Sequence, residues 1–187
     1  MVYEPDWDAS YRAGDWDYFR SVEQLPRYAI LVAYILRFCR GGRLLDVGCG
    51  EGVLREQLPS GVIDDYVGVD ISSVAIERAR QRTFERTLFE CSDLRLYGAG
   101  AERFDGIIFS EVLQTFSNPL EQLRRFHELL SPQGVLMASI FDPDFAELSE
   151  AVKTYGTVAE QLQHCITHDE ESDKRWHAFL WRRRDGR

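Results

Sequence analysis

The chain has little with which to hold a metal or a structural disulfide. Its four cysteines, Cys39, Cys49, Cys91 and Cys165, include no CxxC pair, so zinc binding and thiol redox chemistry have no motif to rest on. Free buried thiols in a reducing compartment are the expected reading. No apolar run reaches the length of a membrane-spanning helix. The opening Met-Val-Tyr-Glu-Pro-Asp-Trp-Asp lacks the basic start and apolar core of a signal peptide, so a cytoplasmic location with no membrane partner is expected. Lysine is nearly absent: among 22 basic residues only Lys153 and Lys174 are lysines, which reads as codon bias in the source. A net charge of −9 leaves no broad basic surface and argues against nucleic acid as a partner. The one basic cluster, Arg182-Arg183-Arg184 with Arg187 after it, reads as a solvated tail.

What remains is an ordinary globular composition, 44% hydrophobic and 28% charged over 187 residues, enough for one α/β domain. No repeat or linker divides it, so residues 1–187 are expected to form a single domain: an N-terminal lid and helix over 1–40 and a core over 41–187. Residues 1–20 interleave aromatics (Tyr3, Trp7, Tyr11, Trp16, Tyr18, Phe19) with acids (Glu4, Asp6, Asp8, Asp15, Asp17). A helix is expected up to about Phe38, capped at Ser21 or, because of Pro26, starting nearer Leu25. Strands and helices then alternate. Strands are expected at Arg43–Val47, Tyr66–Asp70, Leu88–Cys91, Gly106–Phe109 and Val135–Ile140. Helices are expected at Val53–Leu58, Ser73–Thr83, Asn118–Leu130 and Asp144–Tyr155, with a turn at Ser131–Gly134. Two final runs, about Thr157–Ile166 and Arg175–Trp181, are joined by a short polar loop that permits only an antiparallel hairpin. The sum is a doubly wound α/β fold: a mostly parallel seven-stranded sheet with an antiparallel C-terminal hairpin, helices on both faces and an N-terminal helical lid.

The chemistry concentrates at Leu44-Leu45-Asp46-Val47-Gly48-Cys49-Gly50-Glu51-Gly52. A buried strand that ends in alternating glycines lets backbone approach a ligand closely. Three acids, Asp46, Asp70 and Asp93, fall 24 and 23 residues apart, each at a strand's carboxyl end and so facing one crevice. A dinucleotide site would need Gly-x-Gly-x-x-Gly, but Val53 stands where the third glycine belongs. Glu51 would also meet the pyrophosphate with a negative charge. A phosphate-free ligand that carries a ribose and positive charge fits better.

Five ordered segments carry a resemblance. Leu45–Gly52, Val67-Gly68-Val69-Asp70-Ile71-Ser72 with the following Ala75–Ala79 helix, and Cys91-Ser92-Asp93-Leu94 are the first three. Phe104–Leu113 and Leu129–Leu136 complete the set. Together, over about residues 40–141, the chain resembles the class I S-adenosylmethionine-dependent methyltransferases. The resemblance implies S-adenosylmethionine as cofactor and S-adenosylhomocysteine as product. It places Gly48 and Gly50 against the methionine part, Asp70 on the ribose hydroxyls, Ile71 on the adenine ring, and Asp93 with the Leu94 backbone at the adenine edge. Ser110 would border the amino acid end. Asp46 is either a loop-ordering acid or a direct ligand, and Arg27 could pair with the cofactor carboxylate.

Many relatives continue the Glu-Val-Leu of Glu111–Leu113 with Glu-His, whereas Gln114 and Thr115 stand here; no metal site is expected. His127 is expected at the surface. Glu111, Tyr11 and His168 are the candidate bases. With no large insertion after the fifth strand, the aromatic N-terminus, with Tyr11, Trp16, Tyr18 and Phe19, is the segment able to close the site. The acidity of that segment favours a neutral or cationic small-molecule acceptor. The expected activity is O- or N-methylation of a metabolite, a sugar or a natural-product intermediate, by a monomer or homodimer. A non-catalytic S-adenosylmethionine-binding subunit and a nucleotide-linked oxidoreductase are the other classes.

Overall fold

The computed structural model describes residues 6–98, 102–155, 160–166 and 174–182. The strands are β1 (Arg43–Val47), β2 (Asp65–Asp70), β3 (Thr87–Cys91), β4 (Phe104–Ser110), β5 (Leu130–Phe141), β6 (Glu160–Ile166) and β7 (Lys174–Arg182). They form one sheet in the order β3-β2-β1-β4-β5-β7-β6. The first five are parallel, β7 is antiparallel to β5, and β6 pairs antiparallel with β7. The expected seven-stranded fold with its antiparallel end is the one observed. The order reverses between β1 and β4, which opens a crevice at the carboxyl ends of these two central strands.

Both sheet faces are apolar, so the central strands alternate between two cores rather than between core and water. In β4, Ile107 and Phe109 join one core and Ile108 the other; in β5, Leu136 and Ala138 face one way and Met137 the other. Helices α5 (Pro119–His127) and α6 (Asp142–Tyr155) cover the first face, and α2 (Leu25–Phe38), α3 (Val53–Gln57) and α4 (Ser73–Arg80) the second. Phe126 of α5 is fully buried and meets Phe109 edge-on at 5.2 Å.

Local chemistry sets most helix starts. Pro26 lies in the first turn of α2, where its missing N–H costs nothing. Ser72 caps α4 by accepting from the Ala75 amide, and Asn118 caps α5 by accepting from Glu121. The ends differ from expectation in two places. α4 stops at Arg80 rather than near Thr83, and α5 stops at His127 rather than Leu130. Leu130 is taken by β5, whose pairing passes from Phe104↔Leu130 to Gly106↔Val135. The expected turn Ser131–Gly134 is therefore a bulge inside one long strand, because Leu130 is buried against the sheet while the polar residues after it loop out. His127 bonds the Tyr155 hydroxyl at 2.6 Å between α5 and α6, so it joins helices rather than standing free at the surface.

The acidic, aromatic N-terminus is ordered. Asp6 caps a short helix, α1 (Trp7–Ala13), by accepting from the Ala9 amide at 3.0 Å; Gly14, at φ +82°, ends it. Tight turns at Asp17–Arg20 and Val22–Gln24 lead into α2. Truncation of the Phe126 ring would leave a cavity between α5 and the sheet. Phe126→Ala is expected to cost about 3–5 kcal/mol, read as a lower urea midpoint with an unchanged denaturant slope.

Candidate active site

The glycine turn after β1 is folded as its sequence requires. Gly48 and Gly50 have φ of +71° and +53°, values unfavourable for side-chain-bearing residues. A Cβ on Gly48 would fall 2.5 Å from Val112 Cγ2, and one on Gly50 would fall 2.7 Å from the Tyr11 hydroxyl. The turn is thus enclosed by the segment after β4 on one side and by α1 on the other.

Asp70, at the carboxyl end of β2, holds this geometry. One carboxylate oxygen accepts from the Gly50 amide at 2.8 Å and the other from the Ser72 amide at 2.9 Å. Its side chain is buried, which pushes its pKa up, while these amides pull it back. The loop-ordering role considered for Asp46 is therefore filled by Asp70. Asp46 itself accepts from the Tyr66 hydroxyl, and its Oδ1 is buried with no hydrogen-bond partner among the described residues. Burial raises the Asp46 pKa to about 7.

A cavity of about 570 Å³ opens over this edge. Gly48, Asp70, Ile71, Leu94 and Ser110 line one part of it. Glu111, Gln114, Phe141, Trp176 and the aromatics Tyr18 and Phe19 line the rest. A smaller space of about 50 Å³ adjoins it, sharing Tyr11, Gly48 and Ser110 and bounded also by Arg27 and Asp46. Arg27 is 1% exposed. Its guanidinium bonds Gln24 Oε1 at 3.0 Å, Ser110 and Ser139, all neutral, and lies 4.2 Å from the Tyr28 ring centre.

The structure thus brings together Gly48, Gly50, Asp70, Ile71, Leu94, Ser110, Asp46, Arg27, Tyr11 and Glu111 of the residues singled out in the sequence. Asp93 stands apart: it is not among the residues lining the main cavity, and its carboxylate pairs with Arg95 at 2.8 Å. That contact holds its pKa below the usual range. His168 lies outside the described residues. Tyr11 is buried, and burial first of all raises its phenol pKa. A phenol kept protonated is a hydrogen-bond donor at neutral pH, not a base. Glu111 follows β4 with φ +58°, a strained conformation for a non-glycine residue. The strained backbone is accompanied by two fixed contacts: its carboxylate accepts from Ser139 Oγ at 2.8 Å and from the Phe141 amide at 3.1 Å.

Two latches that the sequence did not reveal hold the N-terminal segment over the cavity. Asp8 accepts from Ser72 Oγ at 2.6 Å, Ser73 Oγ at 2.8 Å and the Val74 amide at 3.3 Å, at the start of α4. Arg20 pairs with Glu51 at 3.2 Å and Glu56 at 2.9 Å, and Glu51 also pairs with Arg78 at 2.7 Å. The negative charge that made Glu51 a poor pyrophosphate neighbour is spent on closing the lid. Tertiary ion pairs of this kind leave no periodic mark in a sequence; the acidic run around Asp8 was the only available signal.

With this geometry in hand, comparison places the chain. A sequence profile for a methyltransferase domain matches residues 16–179, and the chain belongs to that family, as the five segments implied. The ubiquinone biosynthesis O-methyltransferase of Coxiella burnetii (strain Dugway 5J108-111) is 33% identical over 110 residues, covering 57% of this chain and 46% of that protein. The chain thus spans about half the length of the curated relatives it matches. In structure, the N-methyltransferase NodS from Bradyrhizobium japonicum WM9, in complex with S-adenosylhomocysteine, superposes with a TM-score of 0.72 at 20% identity, over 91% of this chain and 92% of NodS. The [4+2]-cyclase SpnF has a TM-score of 0.68 at 19% identity, over 86% and 82%. Likeness at that level speaks to fold alone. Among the described residues, no helix is long and apolar enough to cross a membrane.

Two outcomes are expected. The folded protein holds a proton on Asp46 up to about pH 7, whereas the unfolded chain releases it near pH ~4. Folding therefore takes up a proton in this window, and the Asp46 contribution to stability is lost as pH rises from about 4 to about 7. Asp46→Asn, which does not ionise, should lose less stability over the same window in paired urea titrations; identical pH slopes would rule this out. Arg20→Ala should release the lid at a stability cost under about 1 kcal/mol, since the pair is part-exposed. Limited proteolysis should then cut within residues 6–24 faster than in the wild type.

Proposed function

We propose that this chain binds S-adenosylmethionine across the carboxyl edge of its sheet and transfers the methyl group, by in-line displacement, to a small-molecule acceptor. The observation that carries this reading is the single 570 Å³ cavity that joins the glycine turn and Asp70 to an aromatic compartment with Glu111 at its border. The family membership supports the same reading, and so does the S-adenosylhomocysteine bound in NodS.

The residues present fit the cofactor. Asp70 accepts from the Gly50 and Ser72 amides, with a further backbone contact from Ile71, and a carboxylate's remaining lone-pair capacity suits a ribose hydroxyl. Ile71 and Leu94 offer apolar surface to a purine. Asp93, paired with Arg95, is left as an adenine ligand only if that pair opens. The buried Arg27 guanidinium beside Ser110 suits a carboxylate, and the unpartnered Asp46 Oδ1 at the same small space suits an ammonium. When bound, S-adenosylmethionine supplies an electrophilic methyl group on a sulfonium.

The protein's task is then to align a nucleophile and exclude water, an effect worth ~7–11 kcal/mol at best. Trp16, Tyr18 and Phe19, on the segment held by the Asp8 and Arg20 latches, line one side of the cavity. Of the two described candidate bases, Tyr11 and Glu111, Glu111 presents a carboxylate acceptor at the cavity wall, oriented by Ser139 and Phe141. Asp70→Ala removes both the ribose acceptor and the clamp on the glycine turn. Calorimetry should find S-adenosylhomocysteine bound at least about tenfold more weakly; unchanged affinity would sink the cofactor assignment.

A further inference from the structure

We propose that the acceptor is an amine that enters as a cation and is held between Glu111, the Gln114 carbonyl oxygen and an aromatic cage. The proposal rests on the cofactor reading above and adds to it the chemical class of the acceptor. Three independent features point to it.

The first is charge. Among the described residues, the ionisable acids and bases lining the main cavity are Asp70 and Glu111, both acids, together with the phenols Tyr11 and Tyr18. Arg27 faces the smaller neighbouring space instead. Among the described residues, no side-chain cation lines this cavity to meet a carboxylate or phosphate acceptor, whereas Glu111 offers a fixed countercharge to an ammonium.

The second is aromatic surface. Phe141 and Trp176 are cross-strand partners on β5 and β7, with ring centres 5.1 Å apart. Tyr18 and Phe19 face the cavity from the lid, 4.5 Å from each other. Ring faces carry negative potential and attract ammonium groups. Phe141 gives its amide to Glu111, so the carboxylate and this wall are one unit.

The third is an unused acceptor atom. Gln114 donates from Nε2 to the Glu111 carbonyl at 3.1 Å. This orients the amide and leaves Oε1 buried without a hydrogen-bond partner among the described residues. Glu111 and Gln114 both line the cavity, and a carboxylate together with an amide oxygen suits a ligand with more than one N–H to donate. A phenol has one O–H; a protonated primary or secondary amine has two or more.

The step balances without a metal or a second reagent. The bound ammonium loses one proton to solvent, and the freed nitrogen lone pair forms the new N–C bond. The methyl C–S bond breaks with its electron pair staying on sulfur, which gives S-adenosylhomocysteine and a methylated ammonium, so that one proton is released overall. Glu111 acts here as counter-ion and hydrogen-bond acceptor for the substrate nitrogen.

Binding measured without a methyl donor separates this proposal from the cofactor reading. Full-length protein is first saturated with S-adenosylhomocysteine; failure at this stage would overturn both readings. The loaded protein, which holds no methyl donor, is then titrated calorimetrically with benzylamine in its protonated form, benzyl alcohol and benzoate, which share a ring and differ in charge. The cation is expected to bind at least about tenfold more tightly than either comparator. Phe141→Leu should cut that preference by at least about threefold while S-adenosylhomocysteine affinity holds. Equal affinity for the alcohol, tighter binding of benzoate, or no detectable binding of the cation at millimolar concentration would each overturn the amine assignment and leave the cofactor reading standing.

Discussion

One buried carboxylate holds the site in shape. Asp70 bridges the Gly50 amide and the Ser72 amide, and so fixes the glycine turn after β1 to the start of α4. Neither segment could keep its path alone. The turn has several residues at positive φ, a conformation that glycine permits but does not enforce. Burying an acid at the end of β2 is costly, and its raised pKa reflects that cost. The two amides offset it, and a ligand with hydroxyl donors would offset it further. The acid is therefore first a structural clamp, and the same residue lines the cavity.

The lid depends on the same clamp. Asp8 reaches Ser72 Oγ and the Val74 amide only because Asp70 holds Ser72 at the sheet edge. Arg20 reaches Glu51 only because the glycine turn presents it outward. Tyr11 rests with its hydroxyl where a Gly50 side chain would stand. Strand, turn, helix start and lid thus form a chain of contacts, each short and polar, running from the buried sheet to the part-exposed surface. The latches are at the exposed end, so their individual energies are small, and the lid is the part of the site able to open without loss of the core.

The sheet was legible because its strands alternate between two apolar faces and are bounded by glycine, proline and capping residues. Ser72, Asn118 and Pro26 act as their types suggest. The cofactor end was legible for a similar reason: a glycine at positive φ and an acid at a strand end are local facts that a sequence records. What escaped was non-local. The Asp8 and Arg20 contacts span 31 residues or more, and no periodicity encodes them. The resemblance implies Asp93 at the adenine edge; its pairing with Arg95, two residues on, is a contact that the motif does not record. The positive φ of Glu111 was equally invisible, since a glutamate is rare there and the contacts that accompany it come from Ser139 and Phe141 on the neighbouring strand. The bulge at Ser131–Gly134 was seen as a turn because its polar residues do turn; only the pairing of Leu130 showed that the strand continues around it.

The electrostatic design of the site is asymmetric in a way that the fold alone does not require. Arg27, in the first turn of α2, carries its guanidinium into the protein interior, bonded to Gln24, Ser110 and Ser139. Neutral oxygens repay only part of the desolvation of a guanidinium. Asp46, in turn, is a buried acid with one oxygen unpartnered among the described residues, and its pKa sits far above that of a solvated carboxylate. The two groups border the same small space but are each only half compensated by the protein. A zwitterion placed there, carboxylate toward Arg27 and ammonium toward Asp46, would complete both at once. An amino acid moiety there would relieve the electrostatic cost of both buried groups. Binding energy of that origin comes from groups that do not react, which makes it available for orientation.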